Sequence, residues 1–132
     1  MITAVDTNVI ADLLLDDRPH RDASHAALLR CRKDGPLIVG PVAIAELTAL
    51  TGGLDPLGVL RQARITFVPI GLAGSTEAGQ RWTAYRSSGG ERGRIAPDFL
   101  VGAHAIESAD RLLTRDRGFY RLAFKGLTII EP

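Results

Sequence analysis

Short runs of aliphatic and β-branched residues alternate with longer segments of helical period along the whole chain. ITAVD, PLIVG, ITFVPI, RLLT and LTII read as strands. Between them stand NVIADLLL; PHRDASHAALLRCRKDG, entered at Pro19 and stopped at Gly35; VAIAELTALTGG, behind Pro41 and ended by Gly52 and Gly53; and a short helical piece near DPLGVLRQAR. STEAGQRWTAYRSS follows, with Ser75 as its expected cap and Gly79 weakening it, then APDFLVGAHAIESAD and a partial helix in RGFYRLAF. SSGGERGR is the clearest loop. This alternation predicts a parallel sheet covered by helices on both faces.

At 132 residues the chain is long enough for one domain with its own core and short for two, so residues 1–132 are expected to form a single domain. It contains no internal repeat, low-complexity tract or linker. No apolar stretch approaches the roughly 18 residues that span a bilayer, and a basic leader is missing, so a cytoplasmic protein is expected. The single cysteine, Cys31, has no partner for an internal disulfide or a thiolate metal site, and reads as filler.

A net charge of +1 excludes a globally basic nucleic-acid binder, but the charge is unevenly spread. Residues 1–22 hold five aspartates against Arg18 and Arg21, net −3. Residues 81–94 hold Arg81, Arg86, Arg92 and Arg94 against Glu91, net +3; residues 111–125 carry five basic side chains against Asp116, net +4. Basic stretches beside an acidic one suit a protein that attracts a polyanion and keeps acids for chemistry, and equally suit a solvated mixed-charge surface.

In an open α/β sheet, ligands bind beyond the carboxyl ends of the strands. Asp6 ends the first strand, Asp116 follows RLLT, and Asp98 stands behind Pro97 at a helix start, so all three are expected on that edge. Each also suits plain helix capping, worth about 0.3–2 kcal/mol. Glu46 is different. Its helical neighbours Val42, Ala43, Ala49 and Leu50 are apolar, which predicts a carboxylate under largely apolar cover, leaning back toward the same edge and needing a cation, a hydrogen-bond network or protonation, with a shared metal the first choice and a distant arginine the next. Four acids converging on one edge would repel one another without a cation among them, and all-oxygen ligands suit Mg²⁺ or Mn²⁺. Such ions bind phosphates and activate water, which is nuclease chemistry.

VDTNVIADLL, AIAEL, APDFLVGAHA and LLTRDRGFYR, in this order, resemble the PIN domain, and in particular the VapC-type toxins of toxin–antitoxin pairs. The resemblance implies a three-layer α/β/α sandwich with a central, mainly parallel twisted sheet. It implies that Asp6, Glu46, Asp98 and Asp116 form an acidic quartet, with Thr7, Asn8 and Thr114 supporting the metal shell. It further implies an endoribonuclease using one or two Mg²⁺ or Mn²⁺ ions, a homodimer, and a cognate VapB-type antitoxin.

Arg86, Arg92, Arg94, Arg115, Arg117 and Arg121 are candidates for guiding RNA phosphates, or are solubilising charges; Arg115 and Arg117 also suit balancing the charge near Asp116. Trp82, Tyr85, Phe119 and Tyr120 suit base stacking or, more simply, core or dimer packing. His20, His25 and His104 show no ligand spacing. A phosphoaspartate hydrolase needs a second Asp where Asn8 stands, a receiver domain needs an adjacent acidic pair, and neither a P-loop nor a GxGxxG fingerprint occurs. The remaining alternative is a non-catalytic module of the same fold that binds RNA or protein.

Overall fold

The computed structural model describes residues 1–15, 19–90 and 93–132; Asp16, Asp17 and Arg18 of the acidic stretch, and Glu91 and Arg92 of the SSGGERGR loop, lie outside them. The described elements run β1 (Thr3–Val5), α1 (Thr7–Leu14), α2 (Arg21–Asp34), β2 (Leu37–Val39), α3 (Pro41–Leu50), α4 (Leu57–Ala63), β3 (Ile65–Phe67), α5 (Leu72–Ser87), α6 (Ala96–Ser108), β4 (Arg111–Leu113), α7 (Arg117–Ala123) and β5 (Thr128–Ile130). The strands form one sheet in the order β3-β2-β1-β4-β5, and each neighbouring pair is parallel.

Successive strand residues face opposite sides of a sheet, and here that alternation separates two cores. Val5, Leu37, Val39, Ile65 and Leu113 pack against α1 to α4 through Val9, Ile10, Leu28 and Leu47. Ala4, Ile38 and Leu112, paired across the sheet, pack against α5 to α7 through Phe99, Ala103, Phe119 and Phe124. The expected three-layer sandwich follows directly from strands that are apolar on both faces. Cys31 lies buried in the first core, as filler.

Two helix starts differ from expectation. Helix α2 begins at Arg21, and Pro19 and His20 form the turn before it. Helix α5 begins at Leu72, so Ser75 is inside it and its hydroxyl donates to the Gly71 carbonyl. The free N–H groups of α5 are met by another helix: Glu107 of α6 accepts from Gly71 N at 2.8 Å and Gly74 N at 2.9 Å. A carboxylate at a helix N-terminus satisfies orphan donors and the dipole together, and this one is 33 to 36 residues away in sequence, beyond any local cap rule.

The strand order also locates the site. From β1 the chain builds outward to β2 and β3 on one side and to β4 and β5 on the other, so the switch point lies between β1 and β4. Register pairs Val5 with Leu113, which sets the residues that follow, Asp6 and Thr114, side by side.

Candidate functional site

An open cleft of about 590 Å³ lies at this switch point, lined by Asp6, Thr7, Asn8, Glu46, Asp98 and Asp116 together with Pro97, Val101 and Tyr120. All four acids singled out in the sequence therefore face one space, although 40 to 110 residues separate Asp6 from the other three.

Asp6 is the buried member, 7% exposed, and it caps α1. Its Oδ1 accepts from the Thr7 amide at 2.7 Å; its Oδ2 accepts from the Thr114 hydroxyl at 2.7 Å and from Asn8 Nδ2 at 3.0 Å. Burial pushes the Asp6 carboxyl up to about 6, the Thr114 and Thr7 hydrogen bonds pull it back, and the charges of Glu46 and Asp116 add to the rise. Capping and a place in the acidic cleft are thus compatible in one residue.

Thr7, Asn8 and Thr114 form the frame. The Thr7 hydroxyl donates to Glu46 Oε2 and so ties α3 to α1. Asn8 Nδ2 also donates to Thr114 Oγ1 at 3.3 Å, its Oδ1 accepts from the Arg115 amide at 3.2 Å, and the Thr114 hydroxyl accepts from the Asp116 amide at 3.0 Å. Every short polar side chain at the end of β1 and β4 is engaged in aiming an acid.

Glu46 corrects one expectation. It is exposed, without apolar cover, because Ala49 and Leu50 beside it are exposed too, on the rim of the cleft. Apolar neighbours at helical spacing mark a buried face only where another element covers them. The partner of Glu46 is a hydroxyl, and no arginine reaches it among the described residues.

Asp98 occupies the first turn of α6, where its Oδ2 accepts from the Ile95 amide at 3.3 Å. Asp116 stands at the N-cap position of α7 without capping it through its side chain. Its Oδ2 instead meets Arg94 at 2.7 Å, and the same Arg94 nitrogen lies 3.8 Å from Asp98 Oδ1. Tyr120, one helical turn after Asp116, is buried and lines the cleft with its phenol. Burial first, then the charges of Asp6, Asp98 and Asp116, hold that phenol well above its ordinary range, so it stays neutral.

The basic and aromatic candidates fall into distinct places. Arg115 turns inward onto Asp12, Arg117 and Arg121 lie near Glu131 at 2.9 and 3.6 Å, and Arg86 lies over the Trp82 ring at 5.6 Å. Arg92 is outside the described residues. Trp82, Tyr85 and Phe119 join Phe99 and Phe124 in an aromatic core, the simpler of their two readings. His104 is buried with Nε2 2.9 Å from the Val68 carbonyl, and no group of three His, Cys, Asp or Glu side chains encloses a metal position among the described residues. The donor set of the cleft nonetheless has the chemistry of a hard divalent cation, being all oxygen and mostly carboxylate, with like charges raising the affinity of Asp6 for a positive partner.

A parallel α/β/α sandwich with acids from β1, α3, α6 and the β4–α7 junction gathered at its switch point defines a recognisable class of protein. The chain belongs to the PIN domain family, whose model matches residues 3–125. Among solved structures it is similar to a chain of VapBC2 from Rickettsia felis bound to a DNA fragment from their promoter, with a TM-score of 0.75 at 20% identity over 99% of this chain and 98% of that one. It is also similar to VapBC-1 from nontypeable Haemophilus influenzae (0.72, 18%, 99% and 98%) and to FitAcB from Neisseria gonorrhoeae (0.70, 22%, 98% and 96%). No curated protein sequence matches the chain significantly. No helix among the described residues is long and apolar enough to cross a membrane.

Proposed function

We propose that this chain is the toxin of a VapBC-type toxin–antitoxin pair: a Mg²⁺- or Mn²⁺-dependent endoribonuclease, acting as a homodimer, restrained by a VapB-type antitoxin, with residues 1–132 working as one domain. The observation that carries this reading is the meeting of Asp6, Glu46, Asp98 and Asp116, drawn from four separate segments, in one cleft at the β1–β4 switch point. The likeness to chains of VapBC and FitAcB structures supports the antitoxin partner.

Asp6, Glu46, Asp98 and Asp116 would hold the ion, which when bound supplies positive charge to the scissile phosphodiester and acidifies the attacking water. The chain's own part is preorganisation. Thr114, Asn8 and the Thr7 amide hold both Asp6 oxygens in place, and the Thr7 hydroxyl holds Glu46, so the acids keep their positions despite mutual repulsion. Arg117 and Arg121, whose side chains are 57% and 59% exposed, stand on α7 just after Asp116, where they can track an RNA backbone from outside the cleft.

The test is cleavage of an end-labelled structured RNA by the purified chain with Mg²⁺ or Mn²⁺, with EDTA, and by Asp98→Asn. Internal cuts that need the ion and fall by about 10²-fold or more in the variant are expected. RNA or protein binding without cleavage, indifferent to EDTA, would overturn the nuclease reading in favour of a non-catalytic module.

A further inference from the structure

Two of the four acids that line the cleft already meet a cation. The Arg94 guanidinium lies 2.7 Å from Asp116 Oδ2 and 3.8 Å from Asp98 Oδ1, and its carbon stands 4.3 Å from the centroid of the Phe119 ring. Its side chain is only 25% exposed, and two carboxylates and an aromatic face are among the groups packed on it. Asp98 and Asp116 are half of the quartet, and they are the half whose carboxylates accept no hydrogen bond from the Thr7–Asn8–Thr114 frame, although the Thr114 hydroxyl does hold the Asp116 amide. Acids this close need a positive charge between them, and on this side of the cleft Arg94 supplies it.

We propose that Arg94 is the resident counter-ion of the site and competes with the divalent ion for Asp98 and Asp116. This rests on the metal-dependent reading above and deepens it. A guanidinium and a divalent ion repel at contact distance, so both cannot neutralise the same pair of oxygens at full strength. Arg94 therefore keeps the metal-free site assembled and sets the ion concentration at which it gives way. The contacts are partly solvated, which limits the size of the competition to that of half-exposed ion pairs. Arginine suits the role because its planar fork reaches two carboxylates while its face rests on a ring, which lysine does not match.

The experiment is titration of Mn²⁺ into the full chain by calorimetry, using the native protein, Arg94→Gln and Arg94→Lys, with circular dichroism to verify folding. Arg94→Gln should bind Mn²⁺ about three- to tenfold more tightly than the native protein, with Arg94→Lys in between. Equal or weaker Mn²⁺ binding by Arg94→Gln overturns the competition while leaving the metal reading intact. Absence of saturable Mn²⁺ binding in all three proteins overturns both. Should Arg94→Gln fail to fold, Arg94→Lys decides the matter, since it keeps the charge but loses the fork: unchanged affinity overturns the proposal, and about twofold tighter binding supports it.

Discussion

Arg115 clasps Asp12, with Nε 3.0 Å from one carboxylate oxygen and the terminal nitrogen 3.1 Å from the other, while Asp12 itself has no exposed surface. The Ser24 hydroxyl completes the arrangement at 2.6 Å. One network thus ties α1, α2 and the β4–α7 junction together beside Asp116. Arg115→Ala would leave a buried carboxylate with only a hydroxyl for company, at a cost of about 2–3 kcal/mol. Chemical denaturation should show that loss. Arg115→Ala combined with Asp12→Ala should cost less than the sum of the two single changes, because the orphaned charge is gone.

The His104 imidazole is held below its ordinary range, chiefly by burial, although the Val68 carbonyl and the Glu107 charge pull the other way. A histidine with a lowered folded value takes up a proton more readily when unfolded. Stability is therefore fully present above about 6.5 and falls as pH drops from there toward the folded value, with at most one proton taken up per unfolding event. Glu107 adds a separate loss, below 4.5, because the Gly71 and Gly74 amides hold its carboxyl low. Asp6, raised to about 6, slopes the other way in the same range, so thermal unfolding between pH 7.5 and 5 should show the histidine's part as stability that the native protein loses relative to His104→Phe. Equal pH dependence in both proteins would contradict it.

Gly102 faces the Phe124 ring across the second core, and a Cβ there would lie 2.5 Å from the ring carbons. Phe124 cannot step aside, since it is fully buried and packed by Phe99, Phe119 and Tyr120. Gly102→Ala should cost about 1–3 kcal/mol by overpacking, despite the better helix propensity of alanine. The urea midpoint reads this directly, and a stabilised variant would contradict the close approach of α6 to α7.

Periodicity reveals what is repeated, and the alternation of short strands with helices was enough to read a parallel sheet covered on both faces, though not the order of its strands. The acids Asp6, Asp98 and Asp116 were legible because each follows a strand or opens a helix, positions that a parallel sheet sends to one edge. The exposure of Glu46 was not, because it depends on α3 having no neighbour over Ala49 and Leu50, a matter of tertiary placement. Nor was the partner of Arg94. Its spacing of four from Asp98 hinted at one contact, but the closer one to Asp116 spans 22 residues and the switch point. Tyr120 lies one turn after Asp116, a spacing that places it beside the acid; the expected core packing accounts for its burial but not for its share in the cleft wall.

Thr114 is the hinge of the polar frame: one hydroxyl donates to Asp6 and accepts from both Asn8 and the Asp116 amide. Thr114→Val keeps the shape and removes all three bonds. Of the influences on Asp6, the Thr114 bond is the largest that lowers its proton affinity, so its loss lets burial and the Glu46 and Asp116 charges act with less opposition. In the metal-free protein the Asp6 carboxyl should then titrate above the native value of about 6, as read by carbon chemical shift. Thr114→Ser should restore the native titration. Stability should fall by about 1–3 kcal/mol in Thr114→Val for the unmet Asp116 amide and Asn8 donor. An Asp6 titration unchanged by Thr114→Val would mean that the hydroxyl does not hold the carboxylate, and that burial of Asp6 is balanced by something other than this frame.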